Sequence, residues 1–331
     1  MANNNKNIFL ILVLSALLIL SGCTSNSDAK KSGFGLKESF NGGDKAIEFA
    51  FLAEAPPAKI RDQSMQPFVV RLSVDNLGEY DIPENSAYVS LEGFRPEVLG
   101  MTDDQTSKPI QALRGIKKQG SNVIPGGKQQ ISFENLKYTD SVVSGVVPFT
   151  IYANVCYPYQ TKSRTIICVN GNTVPAIDKK TVVCSLEEAK ESANSGGPIK
   201  ISNVKEYPYG TSSVQFQFDI VHKPTSTSAN VYERGSIDSK CDINGKSAGS
   251  PDALYKKDRV KYTVETGLTG LNCESTGSNT NTVSLTNNVY TVTCIQDTTG
   301  QNEYNQFVSI TLDYDYLDRK DIKVNVEHIQ R

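Results

Sequence analysis

Residues 147–159 read Val147-Pro-Phe-Thr-Ile-Tyr-Ala-Asn-Val-Cys-Tyr-Pro-Tyr159, and residues 164–169 read Arg164-Thr-Ile-Ile-Cys-Val169. Ile151, Ala153, Val155, Tyr157 and Tyr159 fall on every second position, the period of a half-buried β-strand. Thr161-Lys162-Ser163 lies between the two runs, and the reading it invites is a hairpin turn centred on Lys162. That register sets Cys156 against Cys168, Val155 against Val169 and Tyr157 against Ile167, which keeps the apolar face consistent. The pattern returns 157 residues later: Tyr157 and Tyr159 fall on Tyr314 and Tyr316, Val155 on Leu312, Ile167 on Val324 and Val169 on Val326. Asp318-Arg319-Lys320 then takes the place of the turn. Two copies of one β-unit are expected, each closing on a hairpin that carries Tyr-x-Tyr.

Outward from this pair, the rest of the chain alternates in the same way. Ala46–Leu52, Pro67–Tyr80, Ala87–Gly93 and Gln129–Leu136 read as strands of the first half. Phe68, Val70, Leu72 and Val74 share one face, and Asn76-Leu77-Gly78 marks a turn. Residues 100–121 look irregular and polar. Val214–Val221, Arg259–Val264, Asn288–Cys294, Phe307–Tyr316 and Ile322–Val326 supply the second half. Between the halves the alternation stops. Ser185-Leu-Glu-Glu188 has capping-box form, which predicts a short helix over 186–191, and Ser195-Gly-Gly-Pro198 reads as a boundary. Many short strands without a long helix predict an all-β fold of two tandem β-sandwiches, 45–175 and 199–331, joined by a linker at 176–198.

Composition agrees. Tyr (15) and Phe (12) carry the aromatic load and Trp is absent, which suits short half-buried strands. Lys+Arg is 34 against 36 for Asp+Glu, a balance that argues against general attraction to nucleic acid or anionic surfaces.

The N-terminus reads differently. Lys6 precedes an apolar run from Ile8 to Leu20, short for a membrane span, and Leu20-Ser21-Gly22-Cys23 follows. These 23 residues resemble the lipoprotein signal peptides of bacteria and many archaea. The resemblance implies removal of 1–22, a lipid on Cys23, and a protein held at the outer face of the cytoplasmic membrane. An uncleaved anchor is the other reading, and it places the remainder on the same side. Residues 23–44, rich in Ser, Gly, Asn and Lys, read as a flexible stalk. The two halves resemble immunoglobulin-like modules of the cell-adhesion-related type found in tandem on prokaryotic surface proteins. Asp75-Asn-Leu-Gly-Glu-Tyr80 carries the first-half match; Ile220-Val-His-Lys-Pro lacks its turn, so the second half matches less well. Ala55-Pro-Pro-Ala, Val74-Asp-Asn-Leu-Gly and Cys156-Tyr-Pro-Tyr are similar to segments of uncharacterised archaeal envelope lipoproteins. These short motifs imply architecture, not activity.

Six further cysteines, Cys156, Cys168, Cys184, Cys241, Cys273 and Cys294, predict disulfides in an exported chain. Three lie in 156–184 and three in 241–294, so complete pairing needs at least one bond between the groups. The hairpin favours Cys156–Cys168. Cys273 and Cys294 share inward faces and pair, leaving Cys184–Cys241. The rival scheme joins Cys184 to Cys156 or Cys168.

Chemistry is sparse. His222 and His328 have no ligand-spaced partner, and no nucleophile elbow, zincin or P-loop motif occurs. No catalytic residue, metal or cofactor is expected. Asp313, Asp315, Asp318 and Asp321 pose the one cation question, since carboxylates near a hairpin suit Ca²⁺, while a solvated strand face explains them equally. Tyr159, beside the expected hairpin tip, is the candidate recognition residue; core packing is its competing role. The expected function is a non-catalytic, membrane-anchored surface module for adhesion, scaffolding or partner binding. A tethered ligand- or ion-binding receptor subunit is the alternative, and a hydrolase with carboxylates from distant segments is the third.

Overall fold

The computed structural model of the chain describes residue 36 and residues 39–143, 145–173, 183–186, 189–243, 250–274 and 277–328. Cys23, the lipobox and most of the expected stalk lie outside the described residues. Leu36–Arg331 forms one compact unit. Its first half contains β1 (Ile47–Phe51), β2 (Lys59–Arg61), β3 (Phe68–Asn76), β4 (Ala87–Glu92), β5 (Ser107–Ile110), β6 (Lys117–Gln119), β7 (Asn122–Ile124), β8 (Lys128–Leu136) and β9 (Val146–Val169). After it come β10 (Ala189–Lys190), β11 (Ser192–Asn194), β12 (Ile199–Tyr209), β13 (Ser213–His222), β14 (Asn230–Tyr232), β15 (Arg259–Glu265), β16 (Leu271–Cys273), β17 (Thr280–Ser284), β18 (Val289–Asp297) and β19 (Tyr304–Glu327). One short helix, α1 (Pro251–Lys256), is capped by the Ser250 hydroxyl accepting from the Ala253 amide. The protein is all-β, as composition and alternation predicted.

Alternation fixes the faces. β3 and β13 bury every second residue along their whole length. Most of those buried residues share one core cluster with the inward residues of β9 and β19, strands 24 residues long that pair antiparallel from Val146↔Glu327 to Val169↔Tyr304. This pair is the spine of a large central sheet ordered β17-β15-β19-β9-β4-β5. Two smaller sheets, β1-β3-β8 and β10-β12-β13-β18-β16, contribute to the same continuous core. The arrangement is layered and sandwich-like: one long sheet, with its inward row of Ile151, Val155, Tyr157, Tyr159, Ile167 and Val169 fully buried.

The expected hairpins do not form. β9 runs straight through Thr161-Lys162-Ser163, and β19 straight through Asp318-Arg319-Lys320. The first of these triplets holds no Gly, Pro, Asn or Asp to start a turn, and each strand offers the other an unbroken ladder of hydrogen bonds. Cys156 and Cys168 therefore stand about 40 Å apart along one strand and cannot be joined. The disulfides are Cys156–Cys241, Cys168–Cys184 and Cys273–Cys294. The third is the expected pair, set face to face by the β16–β18 register. The second is the rival bond, and the first satisfies the parity requirement. The helix expected over 186–191 is also absent at 189–190, where Ala189–Lys190 is strand β10. β10 pairs with β12 and β11 pairs with β9, so the linker region is knitted to both halves.

The repeat itself has a structural counterpart. β4 pairs with β9 and then β5, while β15 pairs with β19 and then β17. Tyr157 Oη accepts from the Ile47 amide at the start of β1, and Tyr314 Oη takes the matching bond from Ile199 at the start of β12. Tyr159 Oη accepts from the Glu79 amide and Tyr316 Oη from the Thr225 amide. In the spine Tyr157 lies opposite Tyr316 and Tyr159 opposite Tyr314. A local pseudo-twofold axis thus passes through the Pro158–Asp315 pair.

Candidate functional site

Tyr159 lies inside the molecule. Its side chain is fully buried, its hydroxyl donates to the Gly196 carbonyl at 2.6 Å, and its ring meets Tyr80 edge-on. Burial pushes its hydroxyl pKa well up. The expected recognition role is therefore corrected: the inward face of β9 and the missing hairpin tip make Tyr159 a core residue. The other three tyrosines of the two Tyr-x-Tyr segments, Tyr157, Tyr314 and Tyr316, are equally buried.

The aspartates do not converge. Asp313 accepts from Gln160 Nε2 at 2.9 Å. Asp315 is buried and accepts from the Ser236 and Ile237 amides, and burial raises its pKa against those bonds and Arg234. Asp318, on the opposite face, accepts from the Thr225 and Ser226 hydroxyls. These three are held by protein donors, Asp321 is exposed, and among the described residues the four carboxylates do not gather into one ligand set. Among the described residues the one ligand-type cluster is Cys168, Cys184 and Glu303, and its two sulfurs are joined to each other.

What the structure does assemble lies on the outer face of the central sheet. After β14 the chain crosses that face as a strap, residues 233–243. Arg234 Nη1 donates to the carbonyls of Tyr159 and Tyr314, and Asp315 fixes the Ser236 and Ile237 amides. Asp238 accepts from the Lys240 and Asp242 amides, tightening the turn. Cys241 then bonds Cys156, and Ser107 Oγ donates to the Ser239 carbonyl.

Between the strap and β4 a cleft of about 500 Å³ opens, lined by Ser90, Glu92, Asn154, Asp242, Lys240 and Arg319 among others. Arg319 Nη2 donates to Glu92 Oε2 at 2.5 Å and Nε to Asn154 Oδ1 at 2.8 Å, while the guanidinium sits over the Tyr152 ring. Lys240 pairs with Asp103 across the mouth. Burial pushes the Glu92 carboxyl up, with Asp242 adding to it and Arg319 opposing. Burial likewise raises Asp242, helped by Asp238 and Asp103. The site presents fixed donors and half-desolvated acceptors on a rigid base, a geometry suited to recognition. The histidines lie elsewhere: His222 Nε2 faces Tyr316 Oη at 3.2 Å, and His328 Nδ1 faces the buried Asp62 at 2.8 Å.

Glu92, Asn154, Asp242 and Arg319 carry no motif in the sequence. They come from β4, β9, the strap and β19, and only the spine register brings Asn154 beside Arg319. No family model matches the chain, and no curated protein is similar to it in sequence. Among solved structures, the secreted serine protease VesC from Vibrio cholerae is similar at 10% identity and a TM-score of 0.17, over 81% of this chain and 50% of that one. The chain thus spans half the length of that protease, and a likeness this slight carries no argument.

Proposed function

We propose that this is a non-catalytic, extracytoplasmic partner-binding module, anchored to the membrane through a lipid on Cys23 and built from two immunoglobulin-like repeats fused along one sheet. The observation that carries this reading is the strap. A disulfide, the buried Asp315 and the Arg234 guanidinium all hold a polar cleft rigid on an exposed sheet face. Three disulfides suit an oxidising compartment. The anchor is tested by mass spectrometry of the mature N-terminus, which should find diacylglyceryl-cysteine at Cys23. Cys23→Ala should shift the protein from the membrane to the soluble fraction, and an intact Met1 on membrane-bound protein refutes the anchor. The second reading, a small-ligand or ion receptor, draws on the cleft volume and on Glu92 and Asp242 facing it. Calorimetric titration with divalent cations separates the two: heat that vanishes in Asp242→Asn favours the receptor.

A further inference from the structure

The buried rings of Tyr157, Tyr159, Tyr314 and Tyr316 form one continuous aromatic cluster across the spine. Their centroids lie 6.0 Å apart for Tyr157–Tyr159, 5.7 Å for Tyr157–Tyr316, 5.8 Å for Tyr159–Tyr314 and 6.4 Å for Tyr314–Tyr316. Another ring joins at each end. Tyr80 meets Tyr159 edge-on at 5.4 Å and lines an open cavity of about 390 Å³. His222 meets Tyr316 edge-on at 5.7 Å. From the cavity wall to His222, no step between neighbouring rings exceeds 6.4 Å. Packed rings at this spacing are a path for electrons as well as a core. Arg234 Nη2 donates to Tyr80 Oη at 3.5 Å, and that positive charge at the outer ring favours moving an electron vacancy, a hole, inward.

Taking an electron from a tyrosine makes its hydroxyl a strong acid. In a desolvated core the hole therefore rests only where a base can take the proton. Hydrogen bonds single out one ring. Tyr157 Oη accepts from the Ile47 amide, Tyr159 Oη donates to the Gly196 carbonyl, and Tyr314 Oη shares a 2.9 Å bond with the Thr161 hydroxyl. None of these partners is a base near neutral pH. Tyr316 Oη accepts from the Thr225 amide at 3.3 Å and lies 3.2 Å from His222 Nε2, within reach for proton transfer. The Thr225 hydroxyl donates to Asp318 Oδ2 at 3.1 Å. Nε2, nearer than Thr225 Oγ1 at 3.4 Å, is then the acceptor for the Tyr316 proton. Burial lowers the imidazole pKa to about 4, so the ring is neutral and its lone pair is free. Nδ1 makes no well-formed hydrogen bond, yet Asn288 lies close enough to favour the ring once it is protonated.

We propose that the tyrosine cluster is a hole-storing relay: a one-electron oxidant at the Tyr80 cavity is reduced, the hole moves inward through Tyr159 and Tyr157, and it settles on Tyr316 as a neutral radical while the hydroxyl proton passes to His222 Nε2. One electron leaves to the oxidant. One O–H bond breaks at Tyr316 and one N–H bond forms at His222, so the pair gains a single positive charge. The oxidant is of the small, diffusible, outer-sphere class, because the relay asks only for contact with the edge of one ring. It requires neither the membrane anchor nor the cleft beside the strap. Photogenerated tris(bipyridine)ruthenium(III), with a cobalt(III) ammine as sacrificial acceptor, supplies the oxidant to the full chain with its disulfides formed. Transient absorption should show a neutral tyrosyl radical that outlives one on an exposed tyrosine. Nitrogen hyperfine spectroscopy of that radical should find a coupled imidazole nitrogen. Tyr316→Phe, which keeps the ring and its packing, should lose the long-lived component, and Tyr80→Phe should lower its yield. Tyr255→Phe, which removes a tyrosine 69% exposed on α1, should leave lifetime and yield unchanged. His222→Asn should shorten the lifetime and abolish the nitrogen coupling. The coupling is read in the unmutated protein as well, so a variant that folds poorly does not decide the outcome. A radical lasting equally long in Tyr316→Phe, or one without nitrogen coupling in wild type, overturns the proposal, as does oxidation that ends as dityrosine on surface tyrosines.

Discussion

Replacing Glu206 by Gln should abolish a stability change that the structure places between pH 4.5 and about 7. Glu206, on β12, is fully buried; Oε1 accepts from the Cys168 amide at 2.7 Å, and the Lys190 ammonium lies 3.1 Å from Oε2. Burial outweighs both partners and pushes the carboxyl from 4.5 up to about 7. In that interval the folded protein holds a proton that the unfolded chain has released. The contribution is therefore complete below pH 4.5 and lost as pH rises through 7. A displacement of that size corresponds to about 3 kcal/mol. Urea unfolding of the oxidised protein at steps from pH 4 to 8 measures it, as the stability of wild type minus that of Glu206→Gln. That difference should fall by about 3 kcal/mol across the window and be flat on either side. Subtraction removes groups common to both proteins, His222 among them. Lys190→Met, which deletes the opposing charge, should move the window to higher pH. Parallel pH profiles for wild type and Glu206→Gln would refute the assignment of a buried, proton-holding carboxyl.

His222 should act with the opposite sign: burial lowers its pKa from 6.5 to about 4, so wild type should lose about 3 kcal/mol as pH falls through that range. His222→Asn, which places the residue type of Asn76 at the end of β13 as at the end of β3, should be insensitive there in the same urea titrations. Non-reducing peptide maps should return Cys156–Cys241, Cys168–Cys184 and Cys273–Cys294, and a Cys156–Cys168 peptide would show that β9 folds back after all. A protease site engineered into 174–182 and cut should leave the halves together on a non-reducing native gel, because Cys168–Cys184 spans the cut and Cys156–Cys241 and the β9–β19 ladder also cross between the halves. In the cut protein, Cys156→Ser with Cys241→Ser should lower stability by about 2–5 kcal/mol, read from the urea midpoint, with the fragments still joined through Cys168–Cys184.

Much of this molecule is local and was legible as such. Side chains alternate across any strand, so the buried faces of β3, β13, β9 and β19 follow from the sequence. The equivalence of the Tyr-x-Tyr segments follows too, because equal patterns impose equal inward positions. Cys273–Cys294 was readable for the same reason, since both residues point inward on neighbouring strands.

What the tertiary structure alone decided is how far a strand continues and what lies beside it. Thr161-Lys162-Ser163 can turn or extend at little intrinsic cost. The choice fell to extension because a strand more than a hundred residues away pairs with it along all 24 positions and satisfies its backbone across the triplet. That one outcome turned two expected hairpins into a shared spine and moved Tyr159 from a loop tip to the core. It also separated Cys156 from Cys168 and brought Asn154 beside Arg319 at the cleft. The proton affinities of Glu206 and His222 belong to the same category, since desolvation is a property of the packed neighbourhood and not of the residue.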